Sequence, residues 1–349
     1  MDQDTTHSAV PGHRPTVSSV AAMAGVSRQT VSNALNNPER LQPETLKRVL
    51  AAIDDSGYVR SAAARQMRTA RSSVLAYRLD PIRDGIGGIV LDTFLHTLSA
   101  QAEGQGYRVM LYTADSDEAE LRQFAALTQT RAVDAFVLVD THRDDQRYRW
   151  LSENGVPYAV FGRPWPGDEE TDDDGAHAWI DIDGSAGTAA ATAHLLELGH
   201  RNIGFIGYLH DGATGDDRRR GWEASMAGAG VPPRQRRALD SSQRDGILEG
   251  ADAARRLLDA GATAFVCASD SLAVGALSAA GPEAAVVGFD DSPTAAALGL
   301  SSVRQPLEEA AGWALGSVLA QIDGAHSTSG TSRLLVPQLV VRASSRPLS

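Results

Sequence analysis

The sequence predicts an N-terminal all-α helix-turn-helix head followed by an α/β core of two doubly wound parallel-sheet lobes. Three observations carry this expectation. Three short helical patterns follow one another between Val17 and Gly57. From residue 73 the pattern changes to alternating apolar strands and helices. The charge divides at the same place, with a basic head and an acidic body.

Within the head, Thr16 is placed to cap a first helix over VSSVAAMA, which Gly25 ends. Ser27 is placed to cap a second over RQTVSNALN, with Val31, Ala34 and Leu35 at helical spacing on one face. Pro43 opens a third helix, where Leu46, Val49, Leu50 and Ile53 form an apolar stripe that stops near Gly57. The A-G-V-S turn puts glycine at the tight corner of a helix-turn-helix. Residues 1–15 are polar and read as a disordered tail. After Tyr58, RSAAARQMRTARSS favours helix by propensity but is too short to hold one unaided.

The body begins with VLAYRL, YRVMLYT, AFVLV and PYAVFG, short buried strands separated by helical stretches such as IVLDTFLHTLSAQAEGQG and EAELRQFAALTQT. A second series follows in WIDID, SAGTAAATAHLLELG, NIGFIGY, a helix near DRRRGWEASMAGAG, AFVCASD, SLAVGALSAAG and AAVVGFDD. Such alternation implies parallel sheets covered by helices on both faces, here in two similar lobes with a cleft between them. The acidic run EETDDD at 169–174 reads as a solvated loop.

Composition narrows the function. A chain of 349 residues with 42% hydrophobic and 22% charged residues is that of a globular protein of two or three domains. No apolar run approaches the ~20 residues that span a bilayer, and the N-terminus lacks a basic start and apolar signal core, so no membrane partner and a cytoplasmic location are expected. The lone Cys267 excludes an internal disulfide and a cysteine-rich metal site. Net charge is −12, yet residues 12–72 carry nine basic residues against four acids, which leaves −15 on residues 73–349. A basic patch on a small helical head is the electrostatic footprint of a nucleic-acid binder.

The stretch TVSSVAAMAGVSRQTVSNALNNPERLQPETLKRVLAAIDDSGY resembles the head of the lactose/galactose-repressor (LacI/GalR) family, through A-x-x-A-G-V-S-x-x-T-V-S-x-x-L-N and the closing G-Y. PYAVFGRP, LLELGHRNIGFIG, RRRGW, ASDSLAVGAL, VVGFDD, SSVRQP and PQLVVRAS follow in family order, so the resemblance covers about residues 16–345. It implies a periplasmic-binding-protein-like core and a homodimer on a pseudo-palindromic operator in double-stranded DNA. The implied organisation is a tail at 1–15, a DNA-binding domain at 16–60 and a hinge helix at 61–72. A first lobe then takes 73–183 with about 305–336, and a second takes 184–304 with about 337–349.

A recognition helix offers its N-terminal residues to base edges in the major groove. Here those are Arg28 and Gln29, directly after the Ser27 cap, with Thr30, Ser32 and Asn33 behind them. Arginine pairs twice with guanine and glutamine twice with adenine. Thr16, Ser32 and Asn36 are placed for phosphates, which position without specifying. In the hinge, Met67 stands where the family usually has leucine, an apolar wedge for the minor groove. Arg60 replaces a common proline, and Arg65, Arg68 and Arg71 add phosphate contacts. The resemblance implies that this helix orders on operator DNA.

For the effector, the resemblance places a small carbohydrate in the cleft near the C-terminal strand ends. Arg218 matches the family's ligand arginine and Asp290 an acid at a strand end, while Arg163 stands where the family alternates arginine and aspartate. Asp183, Ser269 and Gln305 are further candidates, and Phe94, Trp165 and Trp222 are either walls of the pocket or core. Asp291 reads as a capping or surface neighbour, and Asp270 as the cap of the helix over SLAVGAL. An arginine–aspartate pair with nearby aromatics leans toward a di- or oligosaccharide, with a purine or sugar phosphate as the alternative. Repression relieved by the sugar is expected, although in a minority of the family the ligand tightens DNA binding.

No catalytic residue, cofactor or metal is called for. GIGG at 85–88 lacks the full glycine fingerprint, His194 and His200 are six apart rather than four, and no G-x-S-x-G occurs. A sugar-binding transport protein shares the expected body fold, but the basic head and the absence of a signal peptide disfavour it. An enzyme on a doubly wound sheet lacks a base–nucleophile arrangement.

Overall fold

The computed structural model describes residues 15–58, 71–79, 88–165, 178–209, 213–282, 284–324 and 332–345. The chain forms two compact units, Met1–Arg71 and Ser72–Ser349.

In the first unit α1 (Val17–Ala24), α2 (Arg28–Asn36) and α3 (Pro43–Ser56) enclose a core of Val20, Ala21, Ala24, Val31, Ala34, Val49 and Ala52. Each boundary has a local cause. Thr16 Oγ1 accepts from the Ser19 amide at 3.2 Å while Ser19 Oγ accepts from the Thr16 amide at 2.8 Å, a reciprocal capping box. Ser27 Oγ accepts from the Thr30 amide at 3.0 Å to start α2. Gly25 and Gly57 end α1 and α3 in the left-handed region, at φ 63° and 64°.

The second unit contains two six-stranded sheets. The first is built from β1 (Val74–Arg78), α4 (Ile89–Gly104), β2 (Arg108–Tyr112), α5 (Asp117–Gln129), β3 (Ala135–Leu138), α6 (Arg147–Glu153), β4 (Tyr158–Phe161) and β5 (Trp179–Ile182). The chain then crosses through α7 (Gly184–Glu197) into β6 (Ile203–Tyr208), α8 (Thr214–Gly228), α9 (Pro233–Ala238), β7 (Asp240–Gln243), α10 (Ile247–Asp259), β8 (Ala264–Cys267), α11 (Asp270–Ala280), β9 (Ala285–Phe289), α12 (Pro293–Ala297) and β10 (Ser301–Arg304). It returns through α13 (Leu307–Ile322) and β11 (Arg333–Leu335) to the first sheet, and ends with β12 (Gln338–Val340) in the second.

The strand orders are β11-β5-β4-β3-β1-β2 and β12-β10-β9-β8-β6-β7. Every pairing is parallel except β10 with β12. Order reverses between β1 and β3 in one sheet and between β6 and β8 in the other, the switch points at which α/β sheets bind ligands. Buried on both faces, β3, β4, β8 and β9 are continuous apolar runs. Two clusters line opposite faces of the first sheet, around Phe94 with Leu98 and around Phe124 with Phe136, and one larger cluster centres on Phe205, Phe265 and Phe289 of the second.

Candidate functional site

In the head, α2 presents Arg28 and Gln29 on its exposed first turn, directly after the Ser27 cap. Gln29 Nε2 donates to Asn33 Oδ1 at 3.1 Å, and Ser27 Oγ lies 2.9 Å from Thr30 Oγ1. Asn36 Nδ2 donates to the Ser32 carbonyl at 2.7 Å. Thr16, Ser27 and Thr30 therefore shape the helix starts as well as lining the polar surface, while Arg28 keeps an exposed guanidinium. Met67 lies outside the described residues.

In the body the C-terminal ends of the second sheet's strands converge on one guanidinium. Arg218, in the first turns of α8, is buried with its plane over the Phe289 ring, 3.9 Å from the centroid. Its Nη1 donates to the Ala268 carbonyl and to Tyr208 Oη at 3.3 Å, and lies 3.8 Å from Asp290 Oδ1. Its Nε–H is buried without an acceptor among the described residues. Gln305 Nε2 donates to Asp290 Oδ1 at 2.8 Å. Asp290 takes φ 115°, a backbone conformation that L-residues rarely adopt, directly after β9. Burial pushes its carboxyl up to about 8, against the opposing pull of Arg218. Ser269 caps α11 and donates its hydroxyl to Asp245 Oδ1, and burial also raises the Asp245 carboxyl. Arg218, Ser269, Asp290 and Gln305 are thus brought together, at the ends of β6, β8, β9 and β10.

Arg163 gathers a second group after β4. Its Nε donates to Asp181 Oδ2 at 2.5 Å and its Nη2 to the Ile182 carbonyl at 3.0 Å. The same Nη2 reaches Asp217 Oδ2 of α8 at 3.2 Å, joining the two lobes. Asp217 Oδ2 also accepts from the Ser185 amide at 3.1 Å, and Oδ1 from Arg220 at 2.6 Å. Arg163 lies 4.9 Å from the Trp165 ring centroid, and Trp165 Nε1 donates to Thr141 Oγ1 at 3.2 Å. Gly162 permits this closeness: its φ is 124°, and a Cβ there would lie 2.8 Å from Thr141 Cγ2. Burial raises the Asp181 carboxyl although Arg163 opposes it.

Three expected site residues have other places. Phe94 is fully buried, stacked on Phe161 with centroids 4.4 Å apart, in the core of the first lobe. Trp222 is core in the second lobe, against Phe205 at 5.6 Å, with Nε1 donating to the Ile203 carbonyl at 3.1 Å. Both rings sit within the apolar clusters, Phe94 in that of the first sheet and Trp222 in that of the second. Asp183 caps α7, accepting from the Ala186 amide at 2.8 Å. The expected cap of α11 also changes: Ser269 fills it, and the buried Asp270 accepts from the Ser292 amide at 2.7 Å and from Ser302 Oγ at 2.6 Å. Asp291 is gripped by Arg304 and Arg342, each at 2.6 Å.

The residues missed by sequence reasoning are Asp245, Asp217, Asp181 and Tyr208. Among the described residues one trio, Asp117, His142 and Asp145, comes within metal-ligand reach. Its carboxylates address different ring nitrogens of His142, at 2.9 and 3.9 Å, and Asp145 is clamped by Arg147 at 2.6 and 2.8 Å. The trio is an ion-pair network, and no other comes within such reach among the described residues.

Comparison with known proteins accounts for both units. Residues 16–61 match the bacterial regulatory proteins of the lacI family, and residues 192–345 match the periplasmic binding protein-like domain. The HTH-type transcriptional regulator CelR of Thermobifida fusca is 34% identical over 312 residues, covering 84% of this chain and 88% of its own. The chain belongs to the LacI family. Among solved structures, the transcriptional regulator CelR–cellobiose complex aligns with a TM-score of 0.67 and 29% identity, over 95% of this chain and 100% of that one. The lac repressor dimer bound to operator and the anti-inducer ONPF shares the fold, with a TM-score of 0.78 at 20% identity over 96% and 100% of the two chains. As a LacI-family member the chain is a DNA-binding transcriptional regulator with a periplasmic-binding-protein-like effector domain, and not an enzyme. No helix among the described residues is long and apolar enough to cross a membrane.

Proposed function

We propose that this LacI-family regulator is a cytoplasmic repressor of carbohydrate-utilisation genes. On this reading a homodimer holds a pseudo-palindromic operator through α2, and a di- or oligosaccharide bound beside Arg218 releases it. The observation that carries the proposal is the convergence of Arg218, Asp290, Gln305, Ser269 and Tyr208 at the C-terminal ends of one sheet. Carboxyl groups gathered around one guanidinium suit the vicinal hydroxyls of a sugar, which both donate and accept. The similarity to a regulator solved with cellobiose supports a β-linked glucose disaccharide as the first ligand to try.

Arg163 supplies the coupling. It belongs to the first lobe, yet it holds Asp217, the chain neighbour of Arg218. A ligand that moves Arg218 therefore moves the residue through which the lobes grip each other. Shifting a two-state equilibrium from 1:99 to 99:1 needs a differential affinity of about 5.5 kcal/mol. The head's part of the proposal rests on Arg28 and Gln29 at the exposed start of α2.

The test is a titration of the full chain with a duplex it has itself selected from random DNA, with and without cellobiose, maltose, sucrose or lactose. Release by one of these sugars, lost in Arg218→Ala, is the expected result. Unchanged DNA affinity with every sugar would remove the mechanism.

A further inference from the structure

We propose that Asp245 is an effector-binding residue which, with Asp290, restricts the site to uncharged polyhydroxyl ligands and turns away phosphorylated or carboxylated sugars. This rests on the reading of the Arg218 cluster as the effector site.

The inference starts from the balance of donors and acceptors. Two buried or half-buried carboxylates, Asp245 and Asp290, face one guanidinium, that of Arg218. Of the neighbouring guanidiniums, Arg163 is occupied by Asp181 and Asp217, and Arg219 by Asp240 and Ser242. Asp245 Oδ1 accepts from Ser269, and Asp290 Oδ1 from Gln305. The second oxygen of each carboxyl accepts nothing from a described residue, while the buried Nε–H of Arg218 has no described acceptor. The site therefore offers an unfilled donor beside unfilled carboxyl oxygens.

A hydroxyl corrects this in both directions, because it accepts from Arg218 Nε–H and donates to a carboxylate. A phosphate or carboxylate group brings acceptors only and meets like charge at close range in a region with little water to screen it. The pKa directions agree: the Asp245 and Asp290 carboxyls are both raised, chiefly by burial, with Arg218 opposing. Burial thus already disfavours negative charge at both carboxyls beside a single shared guanidinium, and an added anionic group would meet the same penalty with no guanidinium of its own.

Asp245 gains its position from β7. This strand pairs with β6 from Phe205–Asp240 to Tyr208–Gln243, so the residues after Gln243 emerge beside the end of β6, where Tyr208 meets Arg218. The chain then turns into α10, and Asp245 is left between the Ser269 cap and Arg218.

The experiment uses the full chain, its Asp245→Asn and Arg218→Ala variants, and three matched pairs of ligands followed by isothermal titration. The pairs are cellobiose with cellobionate, glucose with glucose 6-phosphate, and trehalose with trehalose 6-phosphate. Circular dichroism melts establish that each variant is folded. The expected result is a neutral sugar that binds at least tenfold more tightly than its anionic partner. Asp245→Asn then weakens the neutral sugar about tenfold or more, as expected for a lost hydrogen bond to a charged group, and narrows the gap within the pair. An anionic member that binds the unaltered chain as well as its neutral partner overturns the inference. So does neutral binding that survives Asp245→Asn but is lost in Arg218→Ala, a result that leaves the effector site itself standing. Neutral binding indifferent to both substitutions, or no binding by any neutral sugar, overturns the site and the inference together.

Discussion

Arg163 Nη2 lies 3.2 Å from Asp217 Oδ2, a contact between side chains of different lobes of the body. Asp217 is 4% exposed at its side chain and Arg163 18%, so water screens the pair weakly. The same carboxylate also accepts from the Ser185 amide and from Arg220.

Asp217→Ala removes all three contacts and leaves Arg163 with Asp181 and the Ile182 carbonyl in its own lobe. Breaking a buried pair from one side costs about 3–5 kcal/mol, and the body should lose that order of stability in a denaturant melt. Arg163→Ala should cost less, because Asp217 retains two donors. Equal losses would mean that the pair does not organise the contact between the lobes.

The Asp290 carboxyl sits at about 8 in the folded chain, against roughly 3.9 when unfolded. The fold thus favours its neutral form. That contribution is complete below about pH 4 and is lost as pH rises through about 8. Asp181, Asp245 and Asp270 are raised in the same direction, each chiefly by burial. Asp290→Asn fixes a neutral side chain of the same shape, so its melting temperature should gain on that of the unaltered chain between pH 5 and pH 8. A constant difference across that range would contradict the assignment.

Arg28 is exposed at the first position of α2. Arg28→Ala should leave the head's melting unchanged and weaken binding to a selected duplex by about 1–3 kcal/mol, with relaxed preference at one base pair. Ser27→Ala removes the cap and should instead cost about 1 kcal/mol of stability in the head. A uniform loss across all sequences in Arg28→Ala would make this residue a phosphate contact.

Phe94 separates core from pocket wall. Phe94→Ala should destabilise the body by about 3–5 kcal/mol and leave ligand affinity of the folded protein unaltered. Selective loss of ligand affinity with little change in stability would return Phe94 to the site.

The sequence made the head and the buried strands legible because their signals are local. Thr16, Ser27, Gly25, Pro43 and Gly57 are boundary residues whose chemistry acts within one turn. The strands VLAYR, AFVL, YAVF and AFVC are apolar because both faces of their sheets are covered. β7, with sequence DSSQ, gave no such signal: it is an edge strand, half-buried throughout, and needs no apolar side chains. Missing β7 concealed Asp245, since a residue cannot be placed at the end of a strand that is not seen. Arg218 and Asp290 were found through their motifs. The partner that ties Arg163 to α8 was not, because 54 residues separate Arg163 from Asp217 and nothing local couples them. Phe94 and Trp222 were undecidable in the sequence, as an aromatic at helical spacing fits a core and a pocket wall equally.

The most direct test is fluorescence anisotropy of a labelled, self-selected duplex with the full chain, titrated with cellobiose and then with the other neutral disaccharides. The account predicts that one of them releases the DNA, that Arg218→Ala holds the DNA in its presence, and that the isolated duplex shows no change. A sugar that binds the protein and leaves DNA affinity untouched, or raises it, would contradict repression relieved through the Arg218 site.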